Sequence, residues 1–348
     1  MIVIGSKPRN HTLDTISKYS KDIKVYGGML EVFEKEGFKS PYMKKLLGLL
    51  VNRKGSTSYL QIKKLDKINE SVANRSYILY ILFDIIFLLD YQFMFSLERW
   101  REESGKHLKV WFDTIGEVEA LSSLSLIRYD NPDWCFPSIE DTACTFLAES
   151  MGHPLLGNSC VVNNLRFPLP SKILLITGSN MSGKSTFLRT AGVNLVLAYA
   201  GAPVYAKKFS CSIMDIYTSM RIKDDLEKNI SSFYAELLRI KSVVEAVHKG
   251  RPIFFLLDEI FKGTNSIDRH TGGKILINKL SAEKVLGLVS THDLELGELE
   301  EENSKVKNYH FQEHYKNNEI FFDYRLYPGV STTRNAIFLM KMAGIDFD

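Results

Sequence analysis

The sequence has few cysteines, and their spacing excludes two kinds of protein. Four occur in 348 residues, at Cys135, Cys144, Cys160 and Cys211, and no two form a C-x-x-C pair. Such scattered thiols indicate neither a zinc site nor a disulfide framework. The first ten residues also lack a long apolar region, so we expect no secretory signal peptide. A reducing, cytoplasmic environment fits these features best.

A strong charge of one sign is also missing. The 44 Lys and Arg residues and the 41 Asp and Glu residues leave a formal net charge of +3, which does not by itself identify a nucleic-acid-binding protein. The excess lies in residues 1–130, which carry 20 basic and 16 acidic side chains. This excess is compatible with contacts to a phosphate backbone and equally with solvated helix faces.

No long apolar run is free of charge. Residues 77–97 are strongly apolar, but Asp84 and Asp90 interrupt them. Each Asp at the centre of a membrane costs roughly 2.5–3.5 kcal/mol on insertion scales. On a helix the two lie about 240° apart, so they share no polar stripe. We therefore predict a largely buried helix over residues 77–103 rather than a membrane span.

The remaining patterns divide the chain into two domains. Residues 1–130 have helical spacing almost throughout, which predicts an all-helical domain with long antiparallel members. Within it, Gly27 and Gly28 are expected to interrupt one helix. Pro132 and Pro137 then mark a linker, because the residue before a proline is biased away from helix.

The second domain, residues 131–348, has a different pattern. Short apolar runs at 173–176, 253–257 and 285–289 alternate with helical stretches. This alternation predicts an α/β fold with a mostly parallel sheet. Residues 316–318 separate two further strand patterns and predict a hairpin at the sheet edge.

A glycine-rich stretch gives the most specific signal in the chain. Residues 173–186 read ILLITGSNMSGKST, and residues 178–185 fit the P-loop pattern between a predicted strand and a predicted helix. The glycines allow the loop to turn its backbone N–H groups towards a phosphate chain. The positive end of the following helix points to the same place. An incidental Gly-rich turn is the alternative interpretation.

The P-loop pattern gives its residues roles. Lys184 supplies a positive charge to the β- and γ-phosphates of ATP, and Ser185 offers its hydroxyl to Mg²⁺. ATP and Mg²⁺ are therefore the predicted ligands. The predicted nucleotide-binding residues of this stretch are Gly178, Ser179, Asn180, Met181, Ser182, Gly183, Lys184, Ser185 and Thr186.

Two acids follow the second apolar run. Asp258 lies at the carboxyl end of a predicted strand, where doubly wound sheets hold ligands, and with Ser185 it forms the predicted metal site. Glu259 is the predicted general base that polarises an attacking water. Two acids after an apolar strand are costly unless a metal ion or water network needs them. The alternative is a strand end with two exposed acids.

Two further elements give weaker signals. The run at 285–289 is followed by His292, which we predict to contact the γ-phosphate or to hold the attacking water. Glu259, His292 and Lys184 are the predicted catalytic residues. A lone His at a strand end is often structural. Ser231 or Ser232 caps an amphipathic helix whose N-terminus is a ready anion site, although an ordinary core helix has the same pattern.

Together these elements resemble the ATPase domain of the MutS mismatch-repair family, a branch of the ABC-type ATPases. The resemblance covers residues 136–344, in the family's order of motifs. These motifs are GHPLL at 152–156, TGSNMSGKST at 177–186, DDL at 224–226, SSFYAE at 231–236, DEIFKGT at 258–264 and THDLEL at 291–296.

The resemblance implies a fold and a mechanism. The fold is a P-loop NTPase domain of ABC-ATPase type, with the helical domain in the place of the family's core helices. Such domains dimerise head to tail around two ATP molecules. Ser231 would then reach the γ-phosphate bound to the partner, and Asn163 would lie near the adenine. The loop at 263–268 would cross the dimer interface.

The chain departs from the family pattern at Ser179, Ser182 and the pair Phe261-Lys262, and it has no room for a mismatch-reading domain. The resemblance therefore implies a short MutS-related protein or a fragment of one. We expect a cytoplasmic, Mg²⁺-dependent ATPase that acts as a homodimer, binds DNA and couples ATP turnover to mismatch repair or related DNA metabolism, with downstream repair proteins as further partners. The main alternative is a nucleotide-gated dimerising scaffold without direct mismatch recognition. A membrane-associated transport role is a third alternative with less support, because we expect no contact with a membrane.

Overall fold

The computed structural model describes residues 6–52, 54–73, 78–142, 144–220, 232–281, 284–316 and 319–331. The chain divides into two compact units, residues 1–123 and 124–348. Each unit is described separately below.

The first unit is helical throughout its described residues, apart from an isolated bridge between Val51 and Thr57. Its core contains the buried side chains of Leu30, Trp100 and Trp111. The indole N–H of Trp100 donates a hydrogen bond of 2.7 Å to a backbone carbonyl of the fourth helix. The helices are α1 (Ser6–Lys18), α2 (Ser20–Lys35), α3 (Pro41–Leu49), α4 (Ser58–Ala73), α5 (Ile78–Phe87), α6 (Leu89–Ser104) and α7 (Leu108–Asp130), with a 3₁₀ turn at Gly105–His107.

The Gly27-Gly28 pair does not interrupt its helix, contrary to the prediction. Helix α2 continues through both residues. A Cβ atom on Gly27 would lie 3.2 Å from Cγ2 of Ile62 on α4. The glycine therefore allows α2 and α4 to approach closely, and this packing outweighs the low helix propensity of glycine.

The apolar stretch from residue 77 forms two helices rather than one. The break falls at Leu88, whose φ is +54°. The Asp84 carboxylate accepts a hydrogen bond of 2.8 Å from the backbone N–H of Asp90, and the hydroxyl of Tyr80 donates to the Asp90 carboxylate at 2.5 Å. The two acids thus satisfy backbone and side-chain groups at the start of α6.

The prediction that this stretch is largely buried was wrong for its middle part. Ile85 and Ile86 are 57% and 69% exposed, and Phe83 and Phe87 are exposed as well. Among the described residues, none of the helices combines the length and the apolar character that crossing a membrane requires.

The second unit has an α/β fold, as the sequence predicts. Its larger sheet has the strand order β10-β9-β4-β8-β7-β6, and every neighbouring pair is parallel except β9 and β10. This antiparallel pair lies at the sheet edge, as predicted, and residues 317 and 318 of the predicted turn lie outside the described residues. A smaller sheet, β1-β5-β2-β3, was not predicted. The strands are β1 (Ser138–Glu140), β2 (Phe146–Met151), β3 (Asn163–Arg166), β4 (Ile173–Thr177), β5 (Lys208–Ser212), β6 (Asp215–Ser219), β7 (Ile253–Asp258), β8 (Val285–Ser290), β9 (Val306–Lys316) and β10 (Glu319–Pro328), and the helices are α8 (Lys184–Tyr199), α9 (Ser232–His248), α10 (Ser266–Leu280) and α11 (Leu299–Glu302).

Both faces of the larger sheet are buried, which explains why its central strands are continuous apolar runs. Leu174 of β4 packs in one apolar cluster with Leu188 of α8. Leu175, on the opposite face, packs in a second cluster with Ile240 of α9 and Leu276 of α10. In β4, β7 and β8, polar side chains are therefore restricted to the strand ends, and the parallel register brings those ends together at one edge.

Candidate functional site

The loop after β4 requires glycine at two positions. Gly178 and Gly183 have φ values of +144° and +108°, which side chains disfavour. A Cβ on Gly178 would lie 2.9 Å from the carbonyl oxygen of Phe311 and 2.9 Å from Oγ of Ser182. Residues 178–183 therefore fold tightly onto the first turn of α8, as a P-loop does.

Lys184 begins α8 and is buried, with 4% of its surface exposed. Its ammonium donates hydrogen bonds to the carbonyl oxygens of Gly178 at 2.9 Å and Ser179 at 2.6 Å. Burial lowers the pKa of Lys184 to about 8, although the charges of Glu259 and Asp258 act in the opposite direction. A negative group that binds next to this ammonium would therefore stabilise its charged form.

The two predicted metal ligands are in direct contact. The hydroxyl of Ser185 donates to Oδ1 of Asp258 at 2.9 Å. The hydroxyl of Ser290 donates to the same oxygen at 2.5 Å, because β8 pairs with β7 so that Ser290 lies opposite Asp258. Hydroxyl and carboxylate oxygens are the hard donors that Mg²⁺ prefers, so these residues fit the ion.

Both carboxylate oxygens of Glu259 have partners. Oε1 lies 2.7 Å from Nε2 of His292, and Oε2 accepts a hydrogen bond of 2.6 Å from the ammonium of Lys262. The backbone N–H of Glu259 donates to Ser290. Burial by itself raises the pKa of Glu259, but the hydrogen bonds from Lys262 and His292 outweigh it and lower this pKa below its ordinary value. The Glu259 carboxylate therefore lies between two basic side chains, those of Lys262 and His292.

A buried acid from α9 anchors the loop that carries Lys262. Glu236 accepts a hydrogen bond of 2.7 Å from the backbone N–H of Phe261. Both Glu259 and Phe261 have positive φ values, of +54° and +57°, which are uncommon for residues other than glycine. Burial raises the pKa of Glu236. The bond from α9 thus stabilises the strained turn that directs Lys262 back to Glu259.

These groups open onto one cavity of about 630 Å³, a size typical of ligand sites. Asn180 to Thr186 of the loop, Asp258 and Glu259 line one side. Met151, Leu156 and Val161 supply an apolar side. The cavity therefore combines a charged end suited to phosphates with an apolar end suited to a ring system.

Asn163 lines the same cavity, but its amide is engaged elsewhere. Nδ2 donates to the carbonyl oxygen of Tyr324 at 2.9 Å, and Oδ1 accepts from the backbone N–H of Leu326 at 2.8 Å. Asn163 therefore joins β3 to the irregular part of β10. Tyr324 also lines the cavity, with a φ of +54° and its ring 3.2 Å from the Cβ position of Gly183.

The structure brings most of the predicted site residues together. Lys184, Ser185, Asp258, Glu259 and His292 form one connected group at the ends of β4, β7 and β8. Ser231 lies outside the described residues. Sequence reasoning gave no role to Ser290, Lys262, Glu236 or Tyr324. Glu236 and Lys262 belong to the motifs SSFYAE and DEIFKGT, and Ser290 directly precedes THDLEL, whereas nothing in the sequence indicates Tyr324.

Comparison with known proteins finds a family match within the α/β unit. Residues 174–347 match the family model for MutS domain V. The DNA mismatch repair protein MutS of Persephonella marina is 33% identical over 236 residues, which are 66% of this chain and 27% of that protein. The corresponding protein of Methanosarcina mazei is 27% identical over 266 residues, 74% of this chain and 29% of that protein. This chain therefore spans less than a third of the length of these curated relatives.

Proposed function

Because this chain belongs to the MutS family, we propose that its α/β unit binds ATP with Mg²⁺ and hydrolyses the terminal phosphate. The observation that carries the proposal is that Lys184, the Ser185–Asp258 pair and Glu259 line one cavity, with His292 in contact with Glu259. These groups come from three strand ends and one helix start. An incidental Gly-rich turn would not require them.

Each group has a distinct task in this mechanism. The loop N–H groups and the Lys184 ammonium bind the phosphates, the lysine exchanging two loop carbonyls for phosphate oxygens. Ser185 and Asp258 would hold Mg²⁺, whose charge offsets that of the phosphates. Glu259 accepts a proton from the attacking water, and His292 orients the Glu259 carboxylate.

We further propose that two copies act together on DNA. In this proposal, which the resemblance to the family supports, ATP lies between two α/β units, with Ser231 reaching the partner's nucleotide and the loop at 263–268 crossing the interface. ATP turnover would then switch the dimer on DNA, in mismatch repair or related DNA metabolism with downstream repair proteins. These proposals rest on the motifs, because the chain spans only part of its relatives.

A nucleotide-gated scaffold is the second candidate. It is favoured by one observation, that both oxygens of Glu259 already have partners. Each contact stabilises the ionised carboxylate, so Glu259 is a weaker base in this state. A protein that kept it so would bind ATP and dimerise without turning over.

Hydrolysis by the wild type and by Glu259→Gln separates the two candidates. The variant keeps the shape of the side chain but removes the base, so MgATP affinity should stay near that of the wild type. The hydrolysis rate should fall by about 10²–10⁴-fold, the usual contribution of a general base. Rates are measured with and without DNA, and affinity by titration of a fluorescent ATP analogue.

Equal rates in the wild type and in Glu259→Gln would contradict the assigned base. A wild type that binds MgATP but hydrolyses none, with or without DNA, would favour the scaffold.

A further inference from the structure

The contact between Lys262 and Glu259 is the feature that the proposed mechanism leaves unexplained. A general base needs one oxygen that can accept a proton from water. Here the Lys262 ammonium is bound to Oε2, and Oε1 contacts His292. Each carboxylate oxygen has two acceptor sites, so the Lys262 ammonium, which also lines the cavity, competes with an attacking water for Oε2.

Exposure and position indicate which contact opens. The side chain of Lys262 is 74% exposed, whereas that of His292 is 36% exposed and follows a strand end buried in the sheet. A long lysine side chain in solvent changes rotamer easily, since one exposed ion pair contributes little to stability. His292 is better suited to stay and orient the carboxylate.

The charges of the cavity supply a reason for Lys262 to leave. The charged side chains that line it are Lys184, Lys262, Asp258 and Glu259, so two positive and two negative charges balance. A triphosphate adds negative charge beside Lys262, in the same cavity. The ammonium of Lys262 then has a competing partner, and Oε2 of Glu259 becomes accessible to water.

We propose that Lys262 is a regulatory clasp, which occupies Oε2 of Glu259 in the nucleotide-free site and hinders the base until a nucleotide displaces it. This inference rests on the proposed ATPase function. It makes Lys262 a positioning residue that acts through Glu259. The hydrogen bond that the backbone N–H of Phe261 donates to Glu236 stabilises the turn that carries Lys262.

The test compares Lys262→Met, which removes the ammonium, with Lys262→Arg, which keeps a positive charge. Hydrolysis should be about two- to fivefold faster in Lys262→Met at neutral pH, the change that loss of one exposed ion pair produces. Lys262→Arg should hydrolyse at nearly the wild-type rate. Because Lys262 is exposed, both variants should keep the fold, which circular dichroism checks.

The pH profile of kcat/KM provides a readout that a merely structural role would not change. The charged groups that face Glu259 are Lys262 and Asp258 on β7 and its following loop, Lys184 on α8 and His292 after β8. Only Lys262 is altered, so the pKa of Glu259 should rise in Lys262→Met. The acidic limb of the profile should move to higher pH, and it should return towards the wild type in Lys262→Arg.

The outcomes distinguish the clasp from the function beneath it. Hydrolysis that depends on Glu259, but is no faster in Lys262→Met and has an unchanged acidic limb, would overturn the clasp alone. A wild type whose hydrolysis is unaffected by Glu259→Gln would overturn both proposals.

Discussion

Charged side chains have different surroundings in the two units. In the α/β unit, Lys184 is buried and a carboxylate pair lies near it in the same cavity. In the helical unit, the ion pairs of Lys24 with Glu70 and of Lys35 with Glu31 lie on the surface. Such exposed pairs contribute little to stability. The first arrangement costs free energy in the folded protein, whereas the second is nearly neutral.

This difference indicates that the charged residues of the α/β unit serve ligand binding, whereas the helical unit depends on packing. The pKa of Lys184 is lowered to about 8 because burial disfavours its ammonium. A folded protein gains nothing from that burial unless a ligand interacts with the charge. The helical unit instead obtains its stability from apolar packing around Trp100 and Trp111. We therefore expect ligand affinity to respond to cavity substitutions, and overall stability to respond to packing changes.

The largest effect is expected for Lys184→Ala. The variant loses the ammonium that binds the phosphates, and hydrogen bonds to charged groups are worth about 1.5–3 kcal/mol each. MgATP affinity should therefore fall by about 100-fold or more, measured by calorimetric titration. Lys208→Ala, at an exposed lysine of β5, is the matched control and should bind like the wild type.

Circular dichroism should be the same for both lysine variants. Unchanged affinity in Lys184→Ala would contradict the proposed role of the cavity, because the buried ammonium would then bind no phosphate.

Two glycines test the packing side of the comparison. A Cβ on Gly287 of β8 would lie 2.1 Å from the ring of Phe255, in the core of the larger sheet. Gly287→Ala should destabilise the α/β unit by about 1–3 kcal/mol, as overpacking does. On Gly28 of α2 a Cβ would meet no atom within 4 Å, so Gly28→Ala should stabilise the helical unit by about 0.5–1 kcal/mol.

Hydrogen exchange of each unit during denaturant titration measures both changes. Equal effects of the two substitutions would contradict the difference in packing that the structure shows at these sites.

Ligand chemistry explains which parts of the site could be predicted from the sequence. Gly178 and Gly183 are required by backbone geometry, and Lys184, Ser185 and Asp258 by the chemistry of a phosphate and a metal ion. Residue types are restricted so strongly at these positions that spacing alone identifies them. The α/β class followed from the same apolar runs that lead to these residues.

The remaining features depend on contacts that carry no local pattern. The bond between Lys262 and Glu259 belongs to a turn with positive φ values at Glu259 and Phe261. Neither residue is glycine, so the sequence does not indicate this backbone conformation. The continuity of α2 through Gly27 depends on Ile62, a residue of another helix. Long-range packing of this kind overrides local propensity, so a single sequence does not indicate it.

The smallest expected effect is a pH dependence that separates the two units. Free Lys184 loses its proton as the pH rises through about 8, whereas a bound phosphate favours the ammonium. MgATP affinity should therefore be constant well below pH 8 and should weaken above it, by up to about tenfold per pH unit. The hydrogen bonds that Lys24 and Lys35 donate to Glu70 and Glu31 raise the pKa values of these lysines above 10.5, so these surface charges persist over the same range.

Titration of MgATP between pH 7 and 9.5 measures the first effect, and tryptophan fluorescence melts of a Trp134→Phe variant report the core around Trp100 and Trp111. Affinity should change while the melts stay constant. Lys184→Ala provides the control, because its residual affinity should not depend on pH in this range. If the affinity of the wild type were equally independent of pH, the ammonium of Lys184 would not be the group that the nucleotide stabilises, and the cost of its burial would need another explanation.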